Sequence, residues 1–132
     1  MERSPEVASR RRSDASFVTF DGVHLPFSDG AFDAVYCKQV LEHVRDVQLF
    51  LSEVRRVLRP GGGLALTTPA WSRWSAVWRV LFGAGFEREF DPLSPHLLFF
   101  SKRSLGQLLD AMGFKVDSMK RRHGTLFVRA TR

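Results

Sequence analysis

The chain carries one cysteine, Cys37, among 132 residues, so it cannot close an internal disulfide. Nothing in its covalent chemistry requires an oxidising compartment. It also lacks any run near the ~20 apolar residues of a membrane-spanning helix, and its first residues lack the apolar core of a secretory signal. Their arginines and serines loosely suit a transit peptide, but Glu2, Glu6 and Asp14 argue against one. A cytoplasmic setting without a transmembrane segment is the expectation. Lysine is scarce, with 4 against 16 arginines, and the net charge of +6 with a pI near 10.4 raises the question of a nucleic-acid partner. The arginines are dispersed along the chain except at Arg10–Arg12 and Arg121–Arg122, whereas an electrostatic footprint needs them on one face. The expectation is therefore no nucleic-acid partner.

A hydrophobic content of 44% fits one globular domain. Pro5 to Arg12 reads as a short helix capped by Ser4, with proline where a missing N–H costs least. Phe17 to Phe20 reads as a strand closed by Asp21-Gly22, and Phe32 to Cys37, after the Asp29-Gly30 turn, as a strand buried on both faces of a parallel sheet. From Asp46, apolar residues at 47, 50, 51, 54, 57 and 58 mark a helix, stopped by Pro60 and three glycines. Leu64 to Thr68 then completes a strand–helix–strand crossover. Trp71, Trp74, Trp78, Leu81 and Phe82 fall on one face of a further helix. Ser101 caps another that presents Leu105, Leu108, Leu109 and Met112 inward and stops at Gly113. Phe114 to Met119 and Thr125 to Ala130 form a hairpin around His123-Gly124.

The ordered set Asp21…Leu25-Pro26-Phe27…Asp29-Gly30-Ala31-Phe32-Asp33-Ala34-Val35…Leu41-Glu42-His43-Val44, then Glu53…Arg56-Val57-Leu58-Arg59-Pro60-Gly61-Gly62, resembles class I S-adenosylmethionine-dependent methyltransferases. Its nearest resemblance is to the small-molecule branch that includes ubiquinone and menaquinone biosynthesis enzymes. The carboxyl-terminal His96-to-Phe114 stretch also resembles the end of that domain. The resemblance implies an α/β fold: a partial Rossmann-like sheet, mainly parallel with a C-terminal antiparallel hairpin, flanked by helices. The fourth, fifth, seventh and sixth family strands lie side by side in that order.

It further implies S-adenosyl-L-methionine as cofactor and methyl transfer to a small-molecule acceptor, lipophilic or aromatic. On that pattern Glu2 would hold the ribose hydroxyls, Asp21 the adenine amine, the Gly22 N–H a ring nitrogen, and the backbone at Cys37 and Lys38 the methionine end. Asp21-Gly22 read by itself is simply a turn. Glu42, Trp74, Trp78 and His96 would border the acceptor, residues 71–100 forming a variable acceptor-side insertion. His43 is a candidate base or acceptor-positioning residue, because an imidazole titrates near neutrality; the plain alternative is packing. The plain reading of the tryptophan stripe is core packing; the sharper one is an apolar lid that admits a lipophilic or aromatic acceptor or rests on a membrane surface. Some relatives bind a divalent metal through Glu-x-x-Glu-His; Gln39 in the first position removes an anionic oxygen, so no metal is expected.

The family opens with a strand and a glycine-rich loop whose backbone approaches the cofactor. Here the only glycine run, Gly61–Gly63, follows a helix and precedes a strand, the reverse order. The expectation is a single incomplete domain over 1–132, lacking the first strand, that loop and most of the second strand. One edge of the Phe32–Cys37 strand would then be bare. Three outcomes fit: a piece of a longer protein or of a damaged gene, a partner chain supplying the missing half, or a third strand moved beside the fourth. The alternative to an enzyme is a noncatalytic pseudoenzyme or interaction subunit that needs a partner.

Overall fold

The Asp29-Gly30 turn, with Gly30 at φ +64°, launches the first strand of the sheet. A computed structural model describes residues 16, 18–21, 24–70 and 100–132. The helices expected over Pro5–Arg12 and from Trp71 lie outside them. The described elements are β1 (Phe32–Lys38), a single 3-10 turn (Leu41–His43), α1 (Val47–Val57), β2 (Leu58–Pro69), α2 (Lys102–Ala111), β3 (Lys115–Arg122) and β4 (Thr125–Thr131). The sheet order is β1-β2-β4-β3, with β1 parallel to β2 and β4 antiparallel to both its neighbours. This is the order expected for the last four strands of a Rossmann-like methyltransferase sheet, hairpin included.

Both helices start where their caps require. The Asp46 carboxylate accepts the Leu49 N–H at 2.9 Å, and Ser101 forms a capping box with Ser104. α1 buries Phe50, Leu51, Val54 and Val57, and α2 buries Leu105 and Leu109. These side chains share one core with Leu64 and Leu66 of β2, Leu126, Val128 and Ala130 of β4, and Phe114, so both helices lie on the same face of the sheet. Gly113, at φ +80°, ends the α2 region, and His123 and Gly124, both at positive φ, make the tight turn between β3 and β4.

Three local expectations are corrected. Val18 to Phe20 is not a strand; Val18 is 54% exposed, and no described strand pairs with it. β-rich residues cannot hold an extended ladder without a neighbour. β1 is not covered on both faces: Val35 and Cys37 turn to the core, while Tyr36 is 63% exposed on the opposite face. α1 ends at Val57, ahead of Pro60, because Leu58 already has extended dihedrals and pairs with Phe32. The partner of Ala34 is Gly63, so the Pro60-Gly61-Gly62 stretch bulges out between two paired positions. Gly62 is confined there, since a Cβ would sit 2.8 Å from the Arg59 carbonyl oxygen.

One side chain docks the segment before β1. Arg56 on α1 donates to the Leu25 and Phe27 carbonyls, to Asp29 Oδ1 at 2.7 Å and, through two nitrogens, to Glu53. Glu53 Oε2 also accepts the Leu25 N–H at 2.9 Å. Hydrogen bonds from Arg56 hold the Glu53 carboxyl down to about 2, although partial burial opposes this.

Leu105→Ala should cost about 2–5 kcal/mol in urea unfolding, as expected for a buried leucine, whereas Leu49→Ala, at a position 38% exposed, should change stability far less. Because the folded Glu53 carboxyl titrates below its ordinary value near 4.5, its contribution is complete above that pH. That contribution is lost as pH falls from about 4.5 toward 2. Glu53→Gln should lower stability at neutral pH and flatten the unfolding midpoint across that acid window.

Candidate functional site

The parallel pair β1–β2 ends with Lys38 beside Thr67. Immediately beyond, Gln39 takes φ +53°, a left-handed conformation uncommon for a side chain with a Cβ, while its N–H donates to the Thr67 carbonyl at 2.9 Å. This anchored kink turns the chain off the sheet and into the Leu41–His43 turn. Leu41, fully buried, pins that turn to the core, and Glu42 is carried under with it at 1% exposure.

A buried carboxylate needs partners. Thr68 Oγ1 donates to Glu42 Oε2 at 3.1 Å, and His43 Nε2 lies 3.9 Å from Glu42 Oε1. Glu42 Oε1 and Thr67 Oγ1 are buried with no hydrogen bond among the described residues. They lie at the carboxyl ends of parallel strands, the end at which open α/β sheets receive ligands. His43 is about one-third exposed, so one side of the imidazole is reachable from outside while the other approaches the buried carboxylate.

Of the expected site residues, Cys37, Lys38, Glu42 and His43 fall together at this strand end. Cys37 is buried, and desolvation pushes its thiol up to about 11, which leaves it a neutral packing group at neutral pH. Lys38 is exposed. Asp21 lies on the segment ahead of β1, where its Oδ1 accepts the His24 N–H at 2.7 Å in a local turn. Glu2, Gly22, Trp74, Trp78 and His96 lie outside the described residues. Thr67 and Thr68 were missed in the sequence, where two threonines closing an apolar strand carry no signal of a carboxylate 26 residues earlier.

The family model described as a methyltransferase domain matches residues 1–66, half of the chain. The chain belongs to the class I S-adenosylmethionine-dependent methyltransferases. A demethylmenaquinone methyltransferase of Beutenbergia cavernae is 44% identical over 72 residues, covering 52% of this chain and 30% of that protein. A probable S-adenosylmethionine-dependent methyltransferase of Mycolicibacterium smegmatis is 36% identical over 93 residues, 70% of this chain and 32% of its own length. The chain thus spans about a third of the length of these curated relatives. Among solved structures, a putative methyltransferase of Bacillus halodurans superimposes with TM-score 0.72 and 16% identity, covering 96% of this chain and 75% of that one. The didemethyltoxoflavin N1-methyltransferase of Burkholderia thailandensis, solved with S-adenosylhomocysteine, does so with TM-score 0.72 and 19% identity, covering 99% of this chain and 58% of that one. At these identities the superpositions speak for the fold. The cofactor of the family is S-adenosyl-L-methionine.

Glu42→Ala should cost about 1–3 kcal/mol by stranding the Thr68 hydroxyl, the cost of an unsatisfied buried donor. Pairing Glu42→Leu with Thr68→Val should cost less than the two single changes together, measured by urea unfolding, because neither polar group is then left behind.

Proposed function

We propose that this chain forms the acceptor side of a methyltransferase that transfers a methyl group from S-adenosyl-L-methionine to a lipophilic small-molecule acceptor. The observation that carries the reading is the buried Glu42, with its orphaned oxygen, beside Thr68 and His43 at the carboxyl ends of a parallel pair. The demethylmenaquinone methyltransferases among its relatives support an acceptor of low polarity.

The residues in hand suit one side of a cofactor site: the strand end at Cys37 and Lys38 would receive its methionine portion. Asp21 and Gly22 would meet the adenine, and Glu2 the ribose hydroxyls. Bound there, the cofactor supplies an electrophilic methyl on a sulfonium. The chain's own part is then positioning, since displacement needs acceptor, methyl and sulfur in line. Glu42 and Thr68 would brace the turn that presents His43, and His43 would take a proton from the acceptor's attacking group. Trp74, Trp78 and His96 are the candidate walls of the acceptor pocket.

A second reading rests on β1. Its outer edge has no strand partner among the described residues, and Tyr36 is exposed beside a depression of about 320 Å³ lined by Ala34, Gly63, Ala65 and Arg129. An added strand with a packed helix would cover both, so a second polypeptide could complete the site.

Calorimetric titration of the folded chain with S-adenosylhomocysteine separates the two. Micromolar binding, about −8 kcal/mol, weakened by Asp21→Ala, is the result expected if the chain holds cofactor alone. No uptake by a folded chain would remove that reading and leave the partner-dependent one.

A further inference from the structure

The cations that are scattered along the sequence converge in the fold. β1 and β2 run in parallel, so Lys38 and Thr67 mark one end of the sheet. β4 begins at that same end, with Thr125 opposite Pro69, and the Gly124 carbonyl accepts the Ala70 N–H at 2.7 Å. The β3–β4 turn therefore stands there too, flanked by Lys120, Arg121 and Arg122. Phe100 bridges to Ala70, which brings the start of α2, with Lys102 and Arg103, to the same rim. All six side chains are exposed.

None of the six has a side-chain hydrogen bond or ion pair among the described residues. At the opposite end Arg56 is paired with Glu53 and Asp29, and Arg59 with Asp33, while Arg55, Lys115 and Arg132 have no ion pair among the described residues. Among the described residues two acids lie toward this end, Glu42, buried against Thr68, and Asp46, whose carboxylate accepts the Leu49 N–H, and the six cations outnumber them. A cluster of unpaired cations around the mouth of a site attracts an anionic surface and orients the molecule toward it.

We propose that the carboxyl-end rim, formed by Lys38, Lys102, Arg103, Lys120, Arg121 and Arg122, docks the protein on an anionic phospholipid bilayer. This rests on the reading of a lipophilic acceptor, since such a molecule partitions into the bilayer and must be met at its surface. Docking by this rim turns Glu42 and His43 toward the lipid. Among the described residues no helix is long and apolar enough to cross a membrane, and the docking proposed is electrostatic. Polybasic surfaces bind acidic leaflets in this way, and the attraction is screened by salt.

The test is co-sedimentation of the full chain with phosphatidylcholine vesicles, with and without phosphatidylglycerol, at low and physiological salt. Binding should require phosphatidylglycerol, weaken with salt, and fall about fivefold for each rim cation removed, as in Arg121→Gln/Arg122→Gln. Lys115→Gln/Arg129→Gln removes the same charge away from the rim and should bind nearly as the parent does; circular dichroism confirms that both variants fold. No vesicle binding, or equal loss in both variants, would overturn the proposal. So would tighter binding to a DNA or RNA duplex, under the same salt, that is lost on changing Arg121 and Arg122. Titration with S-adenosylhomocysteine on the same preparations separates the two ideas. Cofactor uptake without vesicle binding removes only the docking, and vesicle binding without uptake leaves the docking and removes the claim that the chain alone holds cofactor.

Discussion

The guanidinium of Arg56 is the constraint on which the arrangement depends. It reaches from α1 to two backbone carbonyls, Asp29 and Glu53, and so fixes the segment from Leu25 to Asp29 against the helix that follows β1. The Gly30 N–H closes the same junction by donating to the Arg56 carbonyl. Entry to β1 and exit from α1 are thereby tied together, and β2 must start beside β1 with Leu58 opposite Phe32. Arg132 reinforces the point from the far end of the chain by donating to the Leu58 carbonyl. Lysine in place of Arg56 would keep the charge and lose the planar fork that serves several oxygens at once.

With the amino end of the pair fixed, the carboxyl end becomes the place where chemistry can be displayed. The strain of Gln39 at positive φ is held by a backbone hydrogen bond to Thr67 and by the burial of Leu41 just beyond it. A residue between two such anchors has little freedom, so Glu42 is forced beneath the turn whatever its solvation preference. The result is a carboxylate satisfied on one oxygen by Thr68 and unsatisfied on the other. Local strain and an unmatched polar atom at one strand end are the usual signs that a fold has given up stability for function.

Much of this was legible in the sequence because it is local. Asp46 and Ser101 announce helix starts, Gly113 a helix end, and His123-Gly124 a tight turn, each through chemistry within four residues. What was not legible depends on distant partners. Val18 to Phe20 has the composition of a strand, yet a strand exists only with an edge to pair against, and composition says nothing of that edge. Tyr36 sits in an apolar run that reads as doubly buried, but α1 and α2 pack on one face, and no described element covers the other. The end of α1 was misplaced for a related reason. Pro60 and the glycines look like the stop, whereas the tertiary pairing of Leu58 with Phe32 draws the chain out of the helix earlier.

Charge shows the same limit in a form that bears on function. Read linearly, the arginines look dispersed, which argues against an electrostatic surface; topology reverses that inference. Because β4, the second strand of the hairpin, runs antiparallel to β2, the tip of the hairpin lies at the end where the parallel strands finish. The bridge from Ala70 to Phe100 draws the start of α2 there as well. Residues near positions 38, 102 and 121 therefore become neighbours of one rim without sharing a sequence motif. At the opposite end the arginines Arg56 and Arg59 are paired with acids within the fold, and they help to hold it together. Those at the carboxyl rim do no such structural work among the described residues. Their cost in mutual repulsion is small while each projects into water, and their combined field is available to whatever approaches the site.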